Sequence, residues 1–327
     1  MMHVFVNDGG TLRWAKGAEA PRQPLPAQTV WLDLVAPTPE EEARAEALTG
    51  LRLPSREQIA EIEESSRLRQ MNDAAHMTVL VLSLADTEAP RLAPVGFVVK
   101  GGRLVTIHYT DAQPFLTFRR KTVHHGFAGV SPDAVLMALI EAVVERTAGV
   151  LRRVGMELNG LSGRAFRAGL PEGPQRDDTR TLKRVGQAGH LLSKARESLG
   201  SLARMLDFLM RGGAGDATLR KDTRRWARGI LLDVQGLEQY TRFLSNKVGL
   251  LLNSTLGRIT AEQNEIVKLV SVLTAVLFPP LMVSSLYGMN FVHMPEEHWK
   301  LGYPMALLLM VLAAAVPLWF VRRRGWL

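Results

Sequence analysis

Residues 285–304 read SLYGMNFVHMPEEHWKLGYP and separate two apolar segments near the end of a 327-residue chain. The segments cover residues 269–287 and 303–321, and from 269 to 321 the charged side chains are Glu296, Glu297 and Lys300 alone. Each segment is long enough to cross a hydrocarbon core of about 30 Å as a helix. We therefore predict two transmembrane helices joined by a polar loop at residues 288–302.

Most of the charge lies before residue 269, a shift that predicts a large water-soluble part joined to a membrane part. The chain has no cysteine, which excludes disulfides and thiolate metal sites. Residues 151–230 carry 17 Lys and Arg against 8 Asp and Glu, with no interleaved aromatic platform. We assign this basic region to helix faces near anionic lipid and expect no nucleic-acid partner. No nucleotide-binding loop or catalytic motif is present, so we expect neither an enzyme nor an organic cofactor.

The ends of the chain predict its orientation in the membrane. Arginines at positions 322, 323 and 324 form a basic tail at residues 322–327, which favours a cytoplasmic C-terminus by the positive-inside rule. Two spans then place the N-terminus on the cytoplasmic side and the loop outside. The first residues, MMHVFVNDGG, lack the features of a signal peptide, so we expect insertion through the C-terminal segments.

Short aliphatic and β-branched runs predict an α/β cytoplasmic domain over residues 1–130. The predicted strands are 3–7, 30–35, 77–84, 95–100 and 104–109, with helices after Pro39 and Pro54. Ser55 and Gln58 match a capping box at the second helix. Residues 131–216 predict a helical hairpin, interrupted at 169–178 and ended by the glycines of 211–216.

A third helix is predicted from residue 217, because no proline follows until Pro279. If it continues to Tyr287 it has about 70 residues and a length of roughly 105 Å, with residues 217–268 as a stalk. Apolar and Thr side chains recur along it at heptad positions, which favours a seam between like helices of a symmetric oligomer. They are Ile230, Val234, Leu237, Thr241, Leu244, Val248, Leu251 and Thr255. The fold class is thus an α+β membrane protein.

Polar side chains follow one face of the first span. Asn264, Ser271, Thr274 and Ser285 recur at near-helical spacing, with Val267, Phe278 and Leu281 between them. Small hydroxyl groups can mediate packing between membrane helices, and such a stripe also suits a central pore shared by several copies. Spacing leaves both interpretations open. The second span has no such stripe, and we expect it to face lipid.

The YGMNF, MPE and GYP segments resemble the CorA magnesium transporter family, of the enterobacterial type. VWLDLV, EQN at 262–264, LFPP and the RRRGWL end add to this resemblance. It implies a funnel-shaped homopentamer in the bacterial inner membrane and passive, gated uptake of Mg²⁺, with Co²⁺ and Ni²⁺ as further ions. A zinc or cobalt transporter on the same scaffold, with or without proton coupling, is the alternative within transport. A membrane-anchored scaffold or sensor that conducts nothing is the alternative from another class.

The resemblance also implies roles for individual residues. Gly288, Met289 and Asn290 would form the selectivity filter, and Glu296 and Glu297 would concentrate cations at the outer mouth. Neutral carboxamides can hydrogen-bond hydrated Mg²⁺ without stripping its waters, whereas a carboxylate ring would release it slowly. The pore-lining residues would be Asn264, Val267, Val270, Ser271, Thr274, Phe278 and Leu281.

Regulation by cytoplasmic Mg²⁺ is a further implication of the resemblance. In such proteins the ion binds between subunits through acidic side chains and holds the pore closed. We expect Asp233 to be the stalk ligand, because it lies beside the heptad positions, and Asp86 and Asp73 to be the ligands on the cytoplasmic domain. Mg²⁺ is then both the transported and the regulatory ion.

Overall fold

The structure is a computed structural model that describes residues 1–15, 25–60, 67–71, 73–110, 112–128, 130–167, 176–212, 219–289 and 299–325. These residues group into two compact units. Unit 1 comprises Met1–Gly173 and Thr179–Leu252, and unit 2 comprises Pro174–Asp178 and Asn253–Leu327.

Unit 1 contains a seven-stranded sheet of order β2-β1-β3-β7-β6-β5-β4. The pairing of β3 with β7 is parallel, and the other neighbours are antiparallel. The strands are β1 Met2–Asp8, β2 Thr11–Trp14, β3 Thr29–Val35, β4 Leu68–Met71, β5 Ala74–Ser83, β6 Arg91–Lys100 and β7 Arg103–His108. The five predicted strands are confirmed, and β2 and β4 are additional.

Seven helices lie within the described residues. They are α1 Pro39–Thr49, α2 Arg56–Ala60, α3 Gln113–His125, α4 Pro132–Arg167, α5 Arg176–Met210, α6 Lys221–Tyr287 and α7 Gly302–Arg323. The capping box of α2 is confirmed, because the Ser55 N–H donates to Gln58 Oε1 at 3.1 Å and the Gln58 N–H to Ser55 Oγ at 3.3 Å. The long third helix of the prediction is α6, which has 67 residues and continues through Pro279 and Pro280.

The sheet buries apolar side chains on both faces, because successive residues of a strand point to opposite sides. On one face, Leu32 and Leu34 of β3 belong to a cluster with Ala45 of α1 and Ile59 of α2. On the other face, Trp31 belongs to a larger cluster that also takes in apolar residues of α3, α4, α5 and α6. Two apolar clusters, one on each face, therefore join the sheet to the helices.

The structure corrects the predicted role of the heptad positions on α6. They do not form a seam between like helices, because their apolar side chains are buried in the core of unit 1. Val248 Cγ1 lies 3.4 Å from the position that a Cβ on Gly189 of α5 would occupy. Leu244 Cδ2 lies 3.6 Å from the corresponding position at Gly155 of α4. A heptad repeat cannot distinguish a partner in the same chain from one in another copy. The buried members of the heptad positions are Ile230, Val234, Thr241, Leu244, Val248, Leu251 and Thr255.

Candidate functional site

The first apolar segment lies at the end of α6; most of its side chains are exposed and none is buried. Residues spaced three and four apart share one face of a helix, so we call Asn264, Val267, Ser271, Thr274, Phe278 and Leu281 the α6 stripe. All six are exposed, and Leu281 and Val267 keep 64% and 62% of their surface accessible. Val270 is also exposed, at the flank of the stripe. The helix thus places all seven predicted pore-lining residues along one side.

The two hydroxyl groups of the α6 stripe are oriented by hydrogen bonds within the helix. Ser271 Oγ donates to the Val267 carbonyl oxygen at 2.7 Å, and Thr274 Oγ1 donates to that of Val270 at 2.9 Å. Each hydroxyl hydrogen is therefore used, whereas the oxygen keeps lone pairs that can accept. The stripe consequently offers acceptors to water molecules or to ligands that donate.

The α6 stripe ends at a turn formed by the first two residues of the predicted filter. The Gly288 N–H donates to the Ser284 carbonyl oxygen at 2.9 Å, and the Met289 N–H donates to that of Leu286 at 3.4 Å. A Cβ at Gly288 would lie 3.2 Å from the Ser284 oxygen, so the turn is close-packed at that point. Asn290, Glu296 and Glu297 lie outside the described residues, and their roles stay predictions.

The second apolar segment is α7, whose final residues are basic. The Arg323 guanidinium lies 5.2 Å from the Trp319 ring centroid, and that of Arg324 lies 5.1 Å from the Phe320 ring centroid. Such cation–π contacts suit side chains at a membrane interface. By length and composition both α6 and α7 can cross a membrane.

The three acids predicted to regulate the protein lie in different parts of unit 1. Asp233 is exposed on α6, and Asp73 is exposed between β4 and β5 with a positive φ of 61°. Asp86, between β5 and β6, contacts the guanidinium groups of Arg146 and Arg153. Within the described part of the chain, no group of three or more His, Asp or Glu side chains could hold a metal ion.

Sequence analysis missed a buried ionic network centred on Asp33, a fully buried residue of β3. Its Oδ1 accepts from Thr106 Oγ1 at 2.7 Å and faces His108 Nε2 at 3.2 Å, and its Oδ2 accepts from the Arg119 guanidinium at 3.2 Å. Burial opposes ionisation of Asp33, but its partners outweigh that effect and lower its pKa. Burial likewise disfavours charged His108, but the hydrogen bond to Asp33 raises its pKa. The charged Asp in VWLDLV was the signal available, since a buried strand rarely carries one.

These features define a class of protein. An N-terminal α/β domain precedes a long helix that carries a polar stripe into an apolar segment. A second apolar helix follows a short connection. The class is a membrane transport protein with two C-terminal spans.

Comparison with known proteins identifies the family. A family model described as CorA-like Mg2+ transporter protein matches residues 26–323. The magnesium transport protein CorA of Pasteurella multocida is 33% identical over 306 residues, covering 91% of this chain and 92% of its own. That of Escherichia coli K12 is 31% identical over 306 residues, covering 93% and 94%. The chain belongs to the CorA family.

Solved structures show the same fold. The complete CorA magnesium transporter from Methanocaldococcus jannaschii superimposes with a TM-score of 0.74 at 17% identity, over 100% of this chain and 99% of that one. The ZntB cytoplasmic domain from Vibrio parahaemolyticus gives a TM-score of 0.59 at 12% identity, over 79% of this chain and 98% of the domain. At these identities the likeness concerns the fold alone.

Proposed function

We propose that the protein is a gated channel for the passive uptake of Mg²⁺ across the bacterial inner membrane, acting as a homopentamer. The observation that carries this proposal is the exposed α6 stripe, which runs along an apolar helix to the Gly288–Met289 turn. The family, and the magnesium transport named for its relatives, supports Mg²⁺ as the ion. Co²⁺ and Ni²⁺ are proposed as further ions that pass.

The chemistry of the α6 stripe suits a hydrated cation. Mg²⁺ gives up its waters reluctantly, so it passes most readily where a pore accepts hydrogen bonds from those waters. Ser271 and Thr274 use their own hydrogens within the helix and present oxygen acceptors. Asn264 adds a carboxamide, and Asn290 supplies another at the outer end in our proposal. A path lined in this way is neutral, so a dication is not held tightly.

The same stripe is our reason to propose several copies around one axis. Exposed polar groups in hydrocarbon are costly unless neighbouring helices or water satisfy them. Neither α6 nor α7 of one chain covers the stripe, since its residues are exposed. Copies whose stripes face a shared axis would place these groups against water and the apolar helix α7 against lipid. The number five comes from the resemblance.

We propose that the membrane potential drives uptake, with both termini in the cytoplasm. A charge moving across 100 mV gains about 2.3 kcal/mol, so a dication gains about twice that. Arg322, Arg323 and Arg324 support a cytoplasmic C-terminus. Glu296 and Glu297 would then lie outside, where they would attract arriving cations.

We further propose that cytoplasmic Mg²⁺ closes the pathway through acids that face a second copy. Asp233 and Asp73 support this role because both are exposed and neither forms an ion pair within the described residues. Replacing Asp233 by Ala should therefore weaken closure by millimolar Mg²⁺. Unchanged inhibition in that variant would remove Asp233 from the scheme.

Flux into liposomes tests the proposed channel. Purified protein should admit Mg²⁺ to a trapped dye, and Ser271→Ala should slow that flux several-fold because one acceptor is lost from every copy. Ser284→Ala is the matched control, since at about 100° per residue Ser284 lies roughly 220° around the helix from Ser271. We expect its flux to stay within about twofold of the wild type. Asn290→Ala should abolish discrimination between ions.

Three outcomes separate the alternatives. If Ser271→Ala and Ser284→Ala behave alike, the stripe serves helix packing and does not line the path. Zn²⁺ flux that depends on a pH gradient, without Mg²⁺ flux, would identify a zinc transporter on the same scaffold. No flux of any divalent cation by wild-type protein would identify a non-conducting scaffold or sensor.

A further inference from the structure

The connection between β5 and β6, residues 84–90, is attached to α4 by a cluster of charged groups within unit 1. Asp86 contacts Arg146 through Oδ2 and Arg153 through Oδ1. The second amino group of Arg153 also donates to the Ala85 carbonyl oxygen at 2.9 Å. Arg146 and Arg153 are seven residues apart and therefore lie on the same face of α4, two turns from each other. One face of a helix thus binds both the side chain and the backbone of this connection.

This arrangement leaves no place for a dication at Asp86. Both carboxylate oxygens face guanidinium groups, so one negative charge lies between two positive charges and the cluster has a net charge of +1. The hydrogen bond from Arg153, followed by that from Arg146, lowers the pKa of Asp86 despite some burial. Mg²⁺ binds through oxygen ligands and their waters, so it would have to displace both arginines against this net charge. The side chains present do not fit a regulatory Mg²⁺ at this position.

Glu88, the other acid of the connection, also lies near a basic side chain. Glu88 Oε1 lies 3.6 Å from Lys183 Nζ of α5. Residues 84–90 read LADTEAP and contain no further acid. Both acids of the connection therefore face basic side chains of the helical hairpin, two of which, Arg153 and Lys183, belong to the basic region 151–230.

We propose that Asp86 is an ion-pair anchor that holds the β5–β6 connection on Arg146 and Arg153 without a divalent cation, and that sensing of Mg²⁺ does not use Asp86. The second clause rests on the proposed closure by cytoplasmic Mg²⁺. The first clause concerns only the attachment of the sheet to α4 and holds whether or not the protein conducts.

Thermal unfolding of the full-length protein in detergent tests the anchor. Asp86→Asn and Arg146→Gln/Arg153→Gln should each lower the melting temperature by about 2–4 °C in EDTA. The triple variant should melt no lower than the double variant, because residues of one cluster act non-additively. A loss confined to buffers with millimolar Mg²⁺ would overturn the anchor. If Asp86→Asn does not fold, the Arg146→Gln/Arg153→Gln variant decides the question alone, because it leaves the carboxylate in place.

Flux inhibition tests the second clause. Half-maximal inhibition of Asp86→Asn by Mg²⁺ should stay within about twofold of the wild type, whereas a metal ligand would shift it by about tenfold or more. A shift of that size would overturn the assignment and return Asp86 to the regulatory site. A wild-type protein without flux would refute the proposed channel instead, and the melting experiment in EDTA would still decide whether the anchor exists.

Discussion

Asp33 is a residue whose chemistry is set by its immediate partners. It is fully buried, and removing its charge would leave His108 and Arg119 without their shared counter-ion. Breaking a buried ion pair from one side costs about 3–5 kcal/mol. The surrounding contacts are aromatic and hydroxyl groups, since the Phe115 ring centroid lies 5.4 Å from that of His108 and Trp31 Nε1 donates to Thr106 Oγ1 at 2.9 Å. The network therefore fixes β3, β7 and α3 to one another.

The pKa shifts in this network predict how stability depends on pH. The pKa of His108 is raised above its ordinary value of 6.5, so its contribution is complete below that value and is lost as the pH rises through the raised pKa. The pKa of Asp33 is lowered below 3.8, so its contribution is lost only in acid, as the pH falls through the lowered pKa. The melting temperature of the wild type should therefore exceed that of His108→Gln by the largest amount near pH 6. This difference should become smaller as the pH rises to 9.

Melting curves in detergent at constant ionic strength provide the measurement. Asp33→Asn is the control background, because without the carboxylate burial lowers the pKa of His108. In that background the loss of stability caused by His108→Gln should no longer shrink from pH 6 to pH 9. We expect Asp33→Asn itself to lose about 3 kcal/mol of stability. A His108→Gln difference that grows from pH 6 to pH 9 would contradict the assignment of charge.

The contact between α4 and α6 depends on the absence of one side chain. A Cβ at Gly155 would overlap the Tyr240 hydroxyl oxygen, whereas a Cβ at Gly149 on the same helix would have no atom within 4 Å. Gly149→Ala should stabilise by up to about 1 kcal/mol, because alanine favours helix. Gly155→Ala should instead destabilise by about 1–3 kcal/mol through overpacking. Melting temperatures of both variants in detergent provide the test.

A rescue variant separates the collision from other effects of Gly155→Ala. Tyr240→Phe removes the hydroxyl and leaves Cζ at 3.4 Å and Leu244 Cδ2 at 3.6 Å from the added methyl, which are near ordinary contact distances. We expect Gly155→Ala/Tyr240→Phe to recover most of the lost stability. If the double variant is no more stable than Gly155→Ala, the loss of stability does not come from contact with the Tyr240 hydroxyl.

Local sequence patterns predicted most elements but not their partners. Periodic aliphatic runs, the Ser55–Gln58 capping box and the absence of proline before Pro279 depend on neighbouring residues, so they could be found by inspection. Strand β2 was missed because it has only four residues, TLRW, and follows a tight turn at Gly9 and Gly10, which adopt positive φ values of 59° and 88°. The heptad positions of α6 were assigned to another copy because burial against α4 and α5 is a long-range property.

Some residues of the candidate site could be predicted from local spacing, and others could not. The α6 stripe follows from helical spacing alone, so its residues could be listed before the structure was known. The arginine partners of Asp86 could not, because Arg146 and Arg153 are 60 and 67 residues away along the chain. Likewise, the strand sequence around Asp33 could not predict its partners His108 and Arg119, which are 75 and 86 residues away along the chain. Charge partners depend on topology, which local patterns do not specify.

At the scale of the whole molecule, a pathway requires copies whose stripes face one another, and the chain is well suited to a test. It contains no cysteine, so a single introduced cysteine is the only thiol. Thr274→Cys, on the stripe, should form disulfide-linked dimers under mild oxidation, because equivalent residues near an axis come within bonding range. Ser284→Cys lies about 80° around α6 from Thr274 and off the stripe, so it should form fewer.

Native mass spectrometry gives the copy number that crosslinking cannot, because one thiol per chain links copies only in pairs. Five chains of 36.2 kDa predict a particle of about 181 kDa. The two measurements contradict the proposal in different ways. A single chain of 36.2 kDa would leave the polar side chains of α6 exposed to lipid and exclude a shared pore. A particle of five chains in which Ser284→Cys crosslinks better than Thr274→Cys would keep the oligomer but turn the stripe away from its axis.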